Sequence, residues 1–241
     1  MSPGLSPGRI SLIEKRLKTL AHQRNIWKNA IIRVGDGRGF LVSTAPWPYY
    51  VITAAHCLPR LPPTTGCDPD IRTQTYFTLL GALDQPPTVA AQCLFADPIS
   101  DVAVLGSPDG QSLPDEANAY EQFMDARPTL RVRLLDGESE ALLLTREGRW
   151  KLCRVEAEMM PPEWAPTTVR LILAGEGYAP GCSGSPILTY TDGDAVGLIS
   201  IGGGTIDKET GRRLPDIVGA PMLATRLPAW FVADIRAAEM F

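Results

Sequence analysis

The stretch Pro180-Gly181-Cys182-Ser183-Gly184-Ser185-Pro186 constrains this chain more than any other. A serine with glycines two before and one after it, and a proline three after, suits a tight loop that presents a hydroxyl. Gly181 permits a turn in which its own N–H and that of Ser183 face one point. Gly184 leaves the serine oxygen uncovered, and Pro186 straightens the chain into a strand. Two convergent N–H groups beside a hydroxyl make an oxyanion hole next to a nucleophile. Alone, Gly-x-Ser-Gly is more often an ordinary turn.

Two further segments change that balance. Tyr50-Val51-Ile52-Thr53-Ala54-Ala55-His56-Cys57 is an apolar strand delivering a histidine into a turn, and Asp101-Val102-Ala103-Val104-Leu105 places an acid at the mouth of another apolar strand. Separately, His56 reads as a buried structural histidine and Asp101 as a strand-end cap. Together, the chain resembles the chymotrypsin/trypsin-like serine proteases. Their histidine motif is Thr53 to Cys57, their Asp-x-Ala-x-Leu motif is Asp101 to Leu105, and their Gly-Asp-Ser-Gly-Gly-Pro motif appears as Gly-Cys-Ser-Gly-Ser-Pro. The order His, Asp, Ser is that of the chymotrypsin fold and not of subtilisins or α/β-hydrolases.

At 241 residues, the chain is long enough for one large domain or two small barrels sharing an interface. The 22 glycines and 22 prolines point to many turns and a β-rich protein, and 44% hydrophobic residues suffice for a real core. With 23 basic against 27 acidic residues there is no basic stripe, which argues against nucleic acid as a partner. The N-terminal residues lack a charged region followed by an apolar one, so no signal peptide is expected. No apolar run reaches about 18 residues, so no membrane insertion is expected either. The five cysteines are odd in number and lack CxxC spacing. Trypsin-like enzymes bridge the cysteine after the histidine to one in the preceding strand. Here that strand, 38–43, has none, so Cys57 is expected to be a free thiol in a reducing, cytoplasmic setting. With two histidines in the chain, a zinc site is the weaker reading of the cysteines. No metal or other cofactor is expected.

The resemblance implies an all-β fold of two six-stranded antiparallel Greek-key barrels, with an N-terminal and a C-terminal helix. Residues 1–25 read as a flexible tail and a helix, with Ile10, Ile13, Leu17 and Leu20 on one face and His22 exposed at its end. Residues 26–106 read as the first barrel, with segments 26–34, 38–44, 49–54, 74–80, 88–95 and 101–105. A weakly patterned linker, 107–127, leads to the second barrel and terminal helix, 128–241. There the segments are 128–135, 140–145, 150–158, 168–174, 185–190 with 195–202, and 217–223. Leu227, Trp230, Phe231 and Ile235 form the apolar side of the last helix.

By the same resemblance, Ser183 is the nucleophile, His56 the general base and Asp101 the acid that fixes the imidazole tautomer, with Asp97 as its competitor. The oxyanion hole is formed by the Gly181 and Ser183 N–H groups. Ser200, Ile201 and Gly202 match the strand edge that binds substrate backbone, with Ser200 near Asp101. Gly177 stands where trypsins carry an aspartate, which favours small or medium apolar residues before the cleaved bond. Cys182 replaces the aspartate that receives a new N-terminus in zymogens, so activation by propeptide cleavage is not expected. Bacterial Deg-type proteases lack that aspartate as well and are the nearer resemblance, although this chain has no room for a PDZ domain. The expected partners are a protein or peptide substrate and a regulatory protein. A latent, catalytically silent binding module and an esterase are the competing readings.

Overall fold

The structure, a computed structural model, describes residues 21–43, 48–62, 74–135, 137–158, 168–172, 181–200, 205–206, 213–214 and 217–238. Six strands form a closed barrel: β1 (Ile31–Val34), β2 (Gly37–Ser43), β3 (Tyr49–Thr53), β4 (Gln74–Gly81), β5 (Val89–Asp97) and β6 (Val102–Gly106). Their order is β1-β2-β3-β6-β5-β4, with β1 closing onto β4, and every pairing is antiparallel. β6 is buried at all five positions, which explains why it reads as a continuous apolar run and not as an alternating one. Phe40, Leu41, Ile52, Leu79, Leu80 and Leu105 in the barrel wall have no exposure, and each such side chain contributes roughly 1.5–3 kcal/mol by leaving water.

The second half is a six-stranded sheet in the order β11-β10-β7-β8-β9-β14. Its strands are β7 (Glu138–Leu144), β8 (Trp150–Glu158), β9 (Thr168–Ile172), β10 (Pro186–Thr189), β11 (Ala195–Leu198) and β14 (Ile217–Pro221). Leu143, Val155, Ile187, Val196, Ile199 and Met222 form its own core cluster. Among the described residues, one isolated bridge, Gly197 to Met222, links β11 to the residue that follows β14. The described residues thus bring the sheet part of the way round on itself. A small ribbon, β12 (Thr205–Ile206) with β13 (Arg213–Leu214), stands apart.

Several expectations need correction. The segment 26–34 is not one strand: residues 21–29 are helical (α1), and only Ile31–Val34 is extended. Trp27 decides this. Its buried ring lies against Gly193 and meets Trp150 edge-on at 6.5 Å, while the Trp150 indole N–H donates to the Arg24 carbonyl at 3.1 Å. Tertiary docking thus overrides the strand preference of Ile26 and Trp27. The linker contains helix α2 (Pro114–Asp125), opened by Pro114 with Asp115 and Glu116 in its first turn. Ala117, Tyr120 and Met124 bury one side of it, and the Tyr120 hydroxyl donates to the Tyr49 carbonyl at 3.0 Å. The segment 128–135 forms no regular strand: it makes an isolated parallel bridge, Val132 to Ala195, and its Leu130 N–H donates to the Leu41 carbonyl at 2.8 Å. A short helix, α3 (Leu223–Arg226), precedes the terminal helix α4 (Ala229–Ala238). Leu227, Phe231 and Ile235 are buried as expected, whereas Trp230 is 44% exposed and only edges onto Tyr50 and Phe231. His22 is exposed, and Ile10, Ile13, Leu17 and Leu20 lie outside the described residues.

Candidate active site

A 3-10 turn, Ala55–Cys57, ends the run that begins in β3 and turns His56 out of the barrel wall. Asp101 meets it just before β6. The His56 backbone N–H donates to Asp101 Oδ1 at 2.9 Å, and the ring nitrogen Nδ1 lies 2.7 Å from Oδ2. The Ala55 N–H also donates to the Asp101 carbonyl at 3.2 Å. Since a carboxylate only accepts, Nδ1 carries the proton of a neutral imidazole, and the Nε2 lone pair is left for another group. The His56 side chain is 42% exposed while that of Asp101 is 11% exposed, so a shielded anion orients an accessible base.

Asp101 sits at φ +56°, a left-handed conformation that aspartate tolerates better than most residues. Ser200 donates its hydroxyl to Oδ2 at 2.6 Å, giving that oxygen a second partner. Asp97 is engaged elsewhere, accepting from the Ile99 and Ser100 N–H groups at 2.9 and 3.1 Å. Burial pushes its carboxyl upward, but these hydrogen bonds, the Ser100 hydroxyl and the Arg226 charge outweigh it and hold the group below its ordinary value.

Ser183 lies between the first barrel and the sheet. Its carbonyl accepts from the Arg38 N–H at 2.7 Å and from the Cys57 thiol at 3.6 Å, so the residue after His56 touches the backbone of the candidate nucleophile. Gly184 is required by geometry: its φ is +81°, and an added Cβ would fall 1.8 Å from the Arg38 carbonyl oxygen. Its N–H donates to the Ile199 carbonyl, and the Ser185 N–H returns to Cys182. Cys182 is 2% exposed, and burial raises its thiol. Gly181 is exposed at φ +91°. Among the described residues the Ser183 hydroxyl forms no hydrogen bond with the imidazole, a contact that in unliganded sites commonly tightens only when substrate binds. Gly177, Ile201 and Gly202 lie outside the described residues.

Sequence reasoning passed over Arg38. The available signal was a single cation between Gly37 and Gly39 in an otherwise apolar strand. The side chain is buried and reaches across to the second sheet, donating to the Leu144, Thr145 and Arg146 carbonyls.

No protein-family model and no curated protein matches this sequence. Among solved structures, the chain is similar to Rv3671c from M. tuberculosis H37Rv, a serine-to-alanine mutant in an inactive form, at 17% identity and TM-score 0.50, covering 90% of both chains. It is also matched to another inactive form of the Rv3671c protease, at 15% identity and TM-score 0.48 over 85% of this chain and 87% of that one. A serine endoprotease from Yersinia pestis matches at 14% identity and TM-score 0.46, over 90% of this chain and 66% of that one. The chain has the fold of the trypsin-like serine proteases.

Proposed function

We propose that the chain is a serine endopeptidase that hydrolyses peptide bonds through Ser183, His56 and Asp101. The observation that carries this reading is the two-point hold of Asp101 on His56, with the carboxylate further bound by Ser200, beside a glycine-bracketed serine. In the proposed reaction Ser183 Oγ attacks the scissile carbonyl while His56 Nε2 takes its proton. The resulting oxyanion is received by the Gly181 and Ser183 N–H groups. The imidazolium, stabilised by Asp101, then protonates the leaving amine, and water cleaves the acyl-enzyme by the same route.

The reading extends to the second sheet closing as a second barrel, and to substrate backbone adding along Ser200–Gly202 with Gly177 at the specificity pocket. It includes activity without propeptide cleavage, since Cys182 offers no carboxylate to a new N-terminus. A regulatory protein partner and a cytoplasmic setting are part of the same proposal. The setting is supported by four buried cysteines, Cys57, Cys93, Cys153 and Cys182, unpaired among the described residues. No described helix is long and apolar enough to cross a membrane.

A latent or silent binding module is the second reading, kept open by Cys182, which stands beside Ser183 where the family carries an aspartate. Labelling by a fluorophosphonate probe separates the two, because the probe needs an activated serine and a formed oxyanion hole but no known substrate. Labelling of the wild type that disappears in Ser183→Ala and His56→Ala supports the hydrolase. A wild type that stays unlabelled supports the silent module.

A further inference from the structure

Arg38 touches the nucleophile loop from three directions. Its N–H donates to the Ser183 carbonyl at 2.7 Å. Its own carbonyl oxygen accepts the Thr53 hydroxyl at 2.7 Å and occupies the space a Cβ on Gly184 would need. Its guanidinium lies within 3.5 Å of the Ser185 hydroxyl and donates to Leu144, Thr145 and Arg146 at 2.9, 3.1 and 3.2 Å. Those three carbonyls close β7 and open the turn to β8. That turn flanks the loop on its other side: the Arg146 side chain runs beside Gly181, with Nε 4.0 Å from where a Cβ would stand.

A guanidinium is the group suited to this task. It is always charged, and its rigid fork serves several acceptors in fixed directions, which a lysine ammonium cannot do. The residue is only 7% exposed: its bond to the Leu144 carbonyl is buried away from competing water, and those to Thr145 and Arg146 are part-buried. The cation therefore joins the strand wall behind Ser183 to the β7–β8 turn beside Gly181, bracketing the two N–H groups of the candidate oxyanion hole.

We propose that Arg38 is a positioning residue, whose guanidinium fixes the Gly181–Ser185 loop in the conformation that binds the oxyanion. This rests on the hydrolase reading for its catalytic consequence, but not for the loop order it asserts. The step itself is non-covalent, and Arg38 touches no reacting atom.

The test compares wild type, Arg38→Met and Arg38→Lys by amide hydrogen exchange over residues 144–149 and 181–185, and by the rate and pH profile of fluorophosphonate labelling. Arg38→Met, if folded, is expected to raise exchange at 181–185 at least about tenfold. Its labelling rate is expected to fall about 10²-fold, the loss typical of a missing oxyanion donor. The pH midpoint of labelling stays at the wild-type value, because the His56–Asp101 pair is untouched. Arg38→Lys, which keeps charge and bulk, serves where Arg38→Met does not fold, and is expected to fall between the two. Wild-type exchange and labelling in either folded variant overturns the proposal, as does a shifted pH midpoint. If the wild type does not label at Ser183, the hydrolase reading fails, and the exchange measurement alone decides the role of Arg38.

Discussion

Asp101 grips His56 twice, through its backbone N–H at 2.9 Å and its Nδ1 at 2.7 Å, so that the position and the tautomer of the base are set by one carboxylate. Replacing that carboxylate with an amide is the sharpest probe of the pair. Asp101→Asn keeps the size and tolerates the left-handed φ of +56°, so it is expected to fold. Its NH₂ group cannot accept from Nδ1–H, and the imidazole is then driven toward the wrong tautomer. Fluorophosphonate labelling is expected to drop on the order of 10³- to 10⁴-fold. Asp97→Asn, which alters the Ile99–Ser100 turn and removes the charge that Arg226 acts on, is expected to label within about threefold of wild type. Equal losses in the two variants would remove Asp101 from the assigned role.

Gly184→Ala tests the close approach of the nucleophile loop to β2. The new methyl group meets the Arg38 carbonyl in a backbone conformation that L residues rarely adopt. Steric overlap and strain together are expected to destabilise the fold by about 2 kcal/mol or more, read as a lowered urea midpoint. A midpoint unchanged from wild type would mean that the loop does not press on β2 in solution.

Trp27→Ala should undock α1. The ring is 8% exposed and lies between Gly193 and Trp150, and removing a buried tryptophan typically costs about 3–5 kcal/mol. Gly193→Ala, which puts a methyl group where that ring lies, is expected to act in the same direction. Denaturant titration followed by near-UV circular dichroism checks both, and wild-type stability in both variants would refute the docking.

The buried thiols make a pH prediction. Desolvation pushes Cys57 and Cys93 up to about 11 and Cys153 up to about 12. A thiol whose folded value is raised contributes stability that is complete below its unfolded value of about 8.5 and is lost as pH climbs through the folded value. Stability is therefore expected to decline between roughly pH 8.5 and 11, and to decline less in Cys93→Ser after correction for its baseline. In the native protein at pH 8, a thiol-specific disulfide reagent should leave Cys57, Cys93, Cys153 and Cys182 unmodified and react with them only after urea is added. Rapid native modification would contradict their burial.

The residues visible in the sequence were those whose signal is local. His56 follows its strand directly, Asp101 precedes its own, and Ser183 lies between glycines that serve the same short loop. Arg38 was not visible in this way, because its partners are 106 to 147 positions away and nothing near it hints at them. The helix α2 was hidden for another reason: its stripe of Ala117, Tyr120 and Met124 is narrow, and Asp, Glu and Gln around it read as linker. Similarly, α1 takes its conformation from Trp27 docking on a hairpin more than 160 residues later, so Ile26 and Trp27 looked like the start of a strand. The first barrel was legible because its strands are apolar runs separated by turn residues. The second sheet was legible strand by strand, but its closure depends on contacts between distant edges.

The division of the site between the barrel and the later sheet has a consequence for the growing chain. His56 and Asp101 are synthesised before Ser183, which follows Asp101 by 82 positions. Under the proposed chemistry, a nascent or truncated chain holds a base with no nucleophile to activate. The hazard of a protease cutting its neighbours on the ribosome is thus deferred by gene order alone, until the last strands have left the exit tunnel.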